Sequence, residues 1–75
     1  LLALHWACLL GDLKSVKFLL SHGAKIESRD RKGRTPFFLA SLSQNISVVN
    51  YLKEKKANIN TQDFEGNSVP KIISI

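Results

Sequence analysis

Apolar positions along this chain recur with the three-and-four spacing of a helix, and short polar breaks divide them into four segments. The stretch LLALHWACLL opens the chain and ends at Gly11-Asp12, a pair suited to a tight connection between antiparallel helices. A second segment follows, with Val16, Phe18, Leu19 and Leu20 on its apolar face, and closes at Gly23, a residue suited to a left-handed C-terminal position. Thr35 then Pro36 signals a third helix over about Pro36 to Leu42: the hydroxyl caps the start, and proline lacks only an N–H that would go unused there. This helix is expected to bury Phe37 and Ala40, with Ala40 and Ser41 small enough for a neighbour to approach closely. After Gln44-Asn45, a fourth helix is expected from Ser47 to about Lys55, with Val48, Val49, Tyr51 and Leu52 on its apolar face.

The four segments are two copies of one pattern. An offset of 33 residues, without gaps, pairs Ala7 with Ala40, Leu9 with Leu42, Val16 with Val49, Leu19 with Leu52, Ala24 with Ala57, Asp30 with Asp63 and Gly33 with Gly66. The complete copy spans 30–62, preceded by a partial copy over 1–29 and followed by a truncated or capping copy over 63–75. Each copy opens on a turn. In SRDRKGRTPF, Asp30 can hold backbone amides and Gly33 is free to take positive φ. Lys56 stands where the first copy has Gly23, and a left-handed conformation there would cost about 1 kcal/mol.

These residues resemble the ankyrin repeat, a unit of about 33 residues with a β-turn and two helices. The family pattern Asp-x-x-Gly-x-Thr-Pro-Leu-His-x-Ala is met by Asp30, Gly33, Thr35, Pro36 and Ala40. The first copy supplies Leu4, His5, Ala7, Gly11, Leu19-Leu20 and Gly23-Ala24, and the second closes with KANINTQD. Two positions depart from the pattern: Phe38 replaces the histidine that ties neighbouring repeats in the family, so that contact must be apolar, and Gln44 replaces a glycine. The resemblance implies an all-α solenoid of antiparallel helix pairs joined by hairpin-like turns. It also implies a protein-interaction module whose contacts come from turn and first-helix positions: Arg31, Lys32, Arg34, Leu42 and Ser43 in the full copy, and Leu9, Leu10, Phe64 and Glu65 in the partial ones. Arrays of this family also precede catalytic or channel domains, so a regulatory or substrate-recruiting segment of a larger enzyme, channel or transferase is the alternative.

A repeat of this kind leaves apolar sides uncovered until neighbours stack on it, and roughly three are needed for stability. The chain starts at Leu1 rather than Met. Further repeats or another domain are therefore expected before Leu1, or a partner over the open end.

Charge narrows the class of partner. Eleven Lys and Arg against six Asp and Glu give a net charge of +5, and Arg29, Arg31, Lys32 and Arg34 cluster around one glycine. Three readings stand for this turn: a solvated loop, a surface for an acidic protein, and a site for nucleic acid or anionic lipid. The leucines between basic turns favour a partner interleaving acidic and apolar groups. Nucleic-acid recognition would call for stacking aromatics or a recognition helix beside the charges, and Phe64 is the one candidate.

The remaining chemistry is sparse. A single cysteine, Cys8, allows no internal disulfide, which points to an intracellular setting. His5 and Cys8 are three apart on a helix, a spacing two zinc ligands could use, but two ligands do not make a site. His5 as an internal hydrogen-bonding histidine and Cys8 as a small core residue is the simpler reading. Neither a nucleophile with a base and orienting group nor a phosphate-binding loop is visible, so no catalytic role, cofactor or metal is expected in this segment. Trp6 is read either as an anchor for a partner or as filling space against a preceding repeat.

Overall fold

The computed structural model describes residues 2–71; Leu1 and residues 72–75, including the end of the terminal 63–75 unit, lie outside the described residues. Four helices follow one another: α1 (Ala3–Leu10), α2 (Leu13–Ser21), α3 (Pro36–Leu42) and α4 (Ile46–Glu54). The helices form two layers, with α3 packed on α1 and α4 on α2, while short connections join α1 to α2 and α3 to α4. Among the described residues there is no strand, only an isolated antiparallel bridge between Gln62 and Ser68. This is the all-α stack of helix pairs that the repeat implied.

Local chemistry sets the boundaries. Thr35 Oγ1 accepts from the Phe38 amide at 3.2 Å, and Pro36 occupies the first turn, so α3 begins where the sequence places it. Helix α4 starts at Ile46, one residue earlier than expected. Asp12 caps α2, accepting from the Ser15 amide and from Ser15 Oγ at 2.6 Å. Gly11 (φ 77°) ends α1, and Gln44 (φ 59°) takes the same left-handed conformation one repeat later. The Gln44 amide group donates to the carbonyls of Ser41 and Lys71. Lys56, at φ 66°, does without glycine at the position of Gly23.

The core joins both copies: Leu4, Ala7, Cys8 and Val16 from the first pack with Leu39, Ala40, Val48, Val49 and Leu52 from the second. Phe37 and Ala40 are buried as expected. Phe18 is a correction to the apolar face of α2, since it is 59% exposed. Val16, Leu19 and Leu20 are three and four apart and share a face, whereas Phe18 falls between them and turns outward. It stacks on His22 instead, with ring centroids 4.1 Å apart.

Side chains also tie one copy to the next. Asn45 Nδ2 donates to the Cys8 and Leu9 carbonyls, closing off acceptors that the end of α1 leaves open. Arg29 Nη1 donates to the carbonyls of Gly33 and Gln62. The Phe64 amide donates to the Lys32 carbonyl at 2.9 Å, and the Asn58 amide to Glu27 Oε2 at 2.7 Å. Apart from the local Arg29–Gly33 bond, each spans roughly one period, so the register of stacking is fixed by directional contacts as well as by the core.

Candidate partner-binding groove

The two turns are built alike. Asp30 Oδ1 accepts from the amides of Lys32 and Arg34, and the Gly33 amide donates back to the Asp30 carbonyl. One period later, Asp63 Oδ1 accepts from the amides of Glu65 and Asn67, and the Gly66 amide donates to the Asp63 carbonyl. Each aspartate thus holds its loop in one shape, and the loop's side chains project from a rigid base.

The carboxylates are correspondingly stabilised. Burial of Asp30 by itself would raise its pKa, but the Arg34 amide, the Arg34 guanidinium and the Lys32 amide outweigh it and hold the group below the ordinary aspartate value. At Asp63 the side-chain amide of Asn67 is the largest cause and lowers the pKa against a smaller opposing effect of desolvation.

This architecture sorts the expected contact residues. Arg31 and Lys32 are exposed at the tip of the first turn. Arg34 is not a free cation: its Nε and Nη2 both meet Asp30 Oδ2 at 2.8 Å, a forked ion pair that locks the side chain against the turn. Leu10 is exposed, and Leu42 half-exposed at 47%. Leu9 is partly buried against the core, and Ser43 half-buried beside the end of α3. Phe64 is exposed over most of its surface but rests one face on Gly33. Glu65 is exposed, its amide held by Asp63.

A groove of about 330 Å³ runs between α3 and the second turn. It gathers Lys32, Arg34, Leu42 and Glu65 of the expected set and adds Phe38 and Pro70. Leu9, Leu10, Arg31, Ser43 and Phe64 do not line it. Arg31 faces a smaller depression of about 240 Å³ with Leu2, His5 and Arg29. The groove therefore has an apolar floor of Phe38, Leu42 and Pro70, with two cations on one wall and Glu65 with Asp63 on another. Sequence reasoning did not single out Phe38 as a site residue, although its replacement of the family histidine was the available signal.

His5 and Cys8 are structural here. His5 Nδ1 accepts from the Leu2 amide at 3.2 Å, which leaves Nε2 to donate to the Ser28 carbonyl at 3.0 Å. The ring is fully buried and bridges α1 to the segment entering the first turn. Burial pushes the Cys8 thiol up to about 12, far from the thiolate a nucleophile or metal ligand needs. Among the described residues no three His, Cys, Asp or Glu side chains converge on a possible metal position, and no helix is long and apolar enough to cross a membrane.

Comparison with known proteins agrees with the repeat architecture. A family model described as ankyrin repeats in three copies matches residues 1–63. The chain is 37% identical over 54 residues to the palmitoyltransferase ZDHHC17 of Danio rerio, which covers 72% of this chain and 9% of that protein. It is 34% identical over 65 residues to the potassium channel AKT1 of Arabidopsis thaliana, covering 83% of this chain and 8% of the channel. It is 43% identical over 53 residues to the putative ankyrin repeat protein YahD of Escherichia coli, covering 71% of this chain and 26% of that protein.

Proposed function

Because the chain belongs to the ankyrin-repeat family, whose repeats are non-catalytic protein-interaction modules, we propose that it grips a protein partner through the groove between α3 and the turn tips. The observation that carries this reading is the juxtaposition of the apolar floor with Lys32 above it, on turns fixed by Asp30 and Asp63. A pre-shaped surface loses little conformational freedom on binding, so modest contacts suffice. A partner segment with a bulky apolar side chain for the Phe38–Leu42 floor and a carboxylate for Lys32 fits it best, and acidic groups running on past the groove would meet Arg31 at the exposed turn tip.

Arg31→Glu with Lys32→Glu tests this more cleanly than any change at Arg34, because Arg34 also holds the turn together. With a partner captured by the whole protein, the double variant is expected to slow association and flatten its salt dependence, and Leu42→Ala to speed dissociation. Unchanged kinetics in both would remove this groove from the interface.

A second reading is favoured by the company the chain keeps: its palmitoyltransferase and channel relatives are more than ten times its matched length. On that reading the repeats recruit a substrate or regulator to an activity carried elsewhere in a larger protein. The complete coding sequence decides it, since an open reading frame holding repeats alone would dismiss this alternative.

A further inference from the structure

The layer formed by α2 and α4 carries a pattern that the groove does not use. Phe18 stacks on His22 with an interplanar angle of 27°. One period on, the equivalent pair is Tyr51 and Lys55, and Lys55 Nζ sits 5.5 Å from the Tyr51 ring centroid. Lys17, reaching across from α2, brings a second ammonium to the same ring at 5.4 Å. Cations from two consecutive repeats thus meet at one tyrosine.

Neither ammonium is neutralised. The one ion pair among the described residues joins Arg34 to Asp30, on a different part of the molecule. Lys14 and Lys53, also exposed, lie on the same two helices, against one exposed carboxylate, Glu54. Two like charges held at one ring repel each other, and an anion between them relieves that repulsion while the ring face keeps both heads in place.

Beside this pair lies a cavity of about 280 Å³ lined by Leu20, Ser21, Ile26, Tyr51 and Lys55. It shares no residue with the groove at the turns. Leu20, Ile26 and the tyrosine ring give it apolar walls, with room for one aliphatic side chain.

From these two features we infer that the α2–α4 face is a second binding surface, which takes an acidic peptide segment carrying one aliphatic side chain between carboxylates. The aliphatic group enters the cavity against Leu20 and Ile26, and a neighbouring carboxylate lies between Lys17 and Lys55. A bilayer surface is a poorer match, because the apolar element here is a recess and membrane-binding faces present protruding apolar groups beside their charges.

The test is fluorescence anisotropy on the full chain with a labelled peptide of one leucine flanked by glutamates. Saturable binding is expected, with Lys17→Glu and Lys55→Glu together weakening it by about tenfold or more. Lys14→Glu with Lys53→Glu makes the same change in net charge away from Tyr51 and is expected to weaken it less than about threefold. Replacing the peptide's leucine by serine should also weaken binding. Arg31→Glu with Lys32→Glu, an equal change in net charge at the turn, should weaken it no more than the Lys14–Lys53 pair does. A loss there as large as that from Lys17 and Lys55 would place the peptide at the turns and overturn the site. Circular dichroism checks that each variant folds, and Lys17→Gln with Lys55→Gln provides a milder pair with the same expected direction. Equal losses from the two lysine pairs, or no dependence on the leucine, would reduce the effect to diffuse charge and overturn the site. So would the absence of peptide binding, or binding only to vesicles containing phosphatidylinositol bisphosphate.

Discussion

The ring of Phe64 lies so close over Gly33 that a β-carbon added to the glycine would fall 2.4 Å from Phe64 Cδ1. Gly33 also has φ +79°, so two separate constraints exclude a side chain there. The left-handed backbone alone makes Gly33→Ala destabilising by about 1–2 kcal/mol, and the overlap with Phe64 adds to that. Phe64→Ala in the Gly33→Ala background should recover the overlap but not the backbone cost. Chemical denaturation of the two single variants and the double variant would show a favourable coupling if this is right. Strict additivity would mean that the ring simply swings away.

The opposite experiment is available at Lys56. It holds φ 66° with an exposed side chain. Lys56→Gly should therefore stabilise the fold by up to about 1 kcal/mol, less whatever glycine's extra freedom in the unfolded chain takes back. Gln44→Gly should gain less, because Gln44 also donates to the carbonyls of Ser41 and Lys71. Equal gains at both positions in thermal unfolding would show that those hydrogen bonds contribute nothing net.

What could be read from the sequence divides along the distance between interacting groups. Helix α3 was legible because Thr35, Pro36 and the break at Gln44 act on their immediate neighbours. The turn was legible because Asp30 binds amides two and four residues away. The capture of Arg34 by the same aspartate was not foreseen, since four cations compete for one carboxylate and only the folded turn chooses among them. The reach of Asn45 to Cys8 and Leu9, and of Arg29 to Gln62, depends on how far one repeat is rotated on the next. Periodicity fixes which residues are equivalent, not that rotation. Asp12 and Asn45 make the point: equivalent by the offset, one caps its own helix and the other bonds the preceding repeat. The groove needed the same information, because Phe38 and Pro70 are brought together only by the second turn.

Acid should loosen the turns before it affects the core. Asp30 has its pKa lowered by folding, so its contribution is complete above the unfolded value of about 3.9 and is lost as pH falls through the folded value. Asp63 and Asp12 are lowered too, the latter chiefly by the Ser15 hydroxyl, and they act in the same direction. The thermal midpoint is therefore expected to be level near neutrality and to fall below about pH 4. Asp30→Asn should lower stability at neutral pH by about 1–3 kcal/mol, since it breaks the forked ion pair and leaves Arg34 without its partner. The same variant should also show a shallower acid dependence. An unchanged acid slope would shift the origin of the effect to the other carboxylates.

The offset of 33 places Trp6 in register with Leu39, yet the two side chains meet opposite surroundings. Leu39 is fully buried where α3 packs on α1, while Trp6 on α1 is 51% exposed. The helix face that docks the second copy onto the first is thus presented again by the first copy, with Leu2 exposed beside Trp6 where Thr35 is buried beside Leu39. Leu39→Ala should cost about 2–5 kcal/mol, as expected for removing a fully enclosed leucine, and in a stack this small that is enough to unfold it. Trp6→Ala in the 75-residue chain should cost under about 1 kcal/mol, because half of the ring already contacts water. If a preceding helix pair covers that face in a longer protein, the same tryptophan change made there should approach the cost of Leu39→Ala. Urea denaturation of Trp6→Ala in both lengths separates the possibilities. An equally small loss in each would mean that nothing stacks on this face and that Trp6 is free to meet a partner.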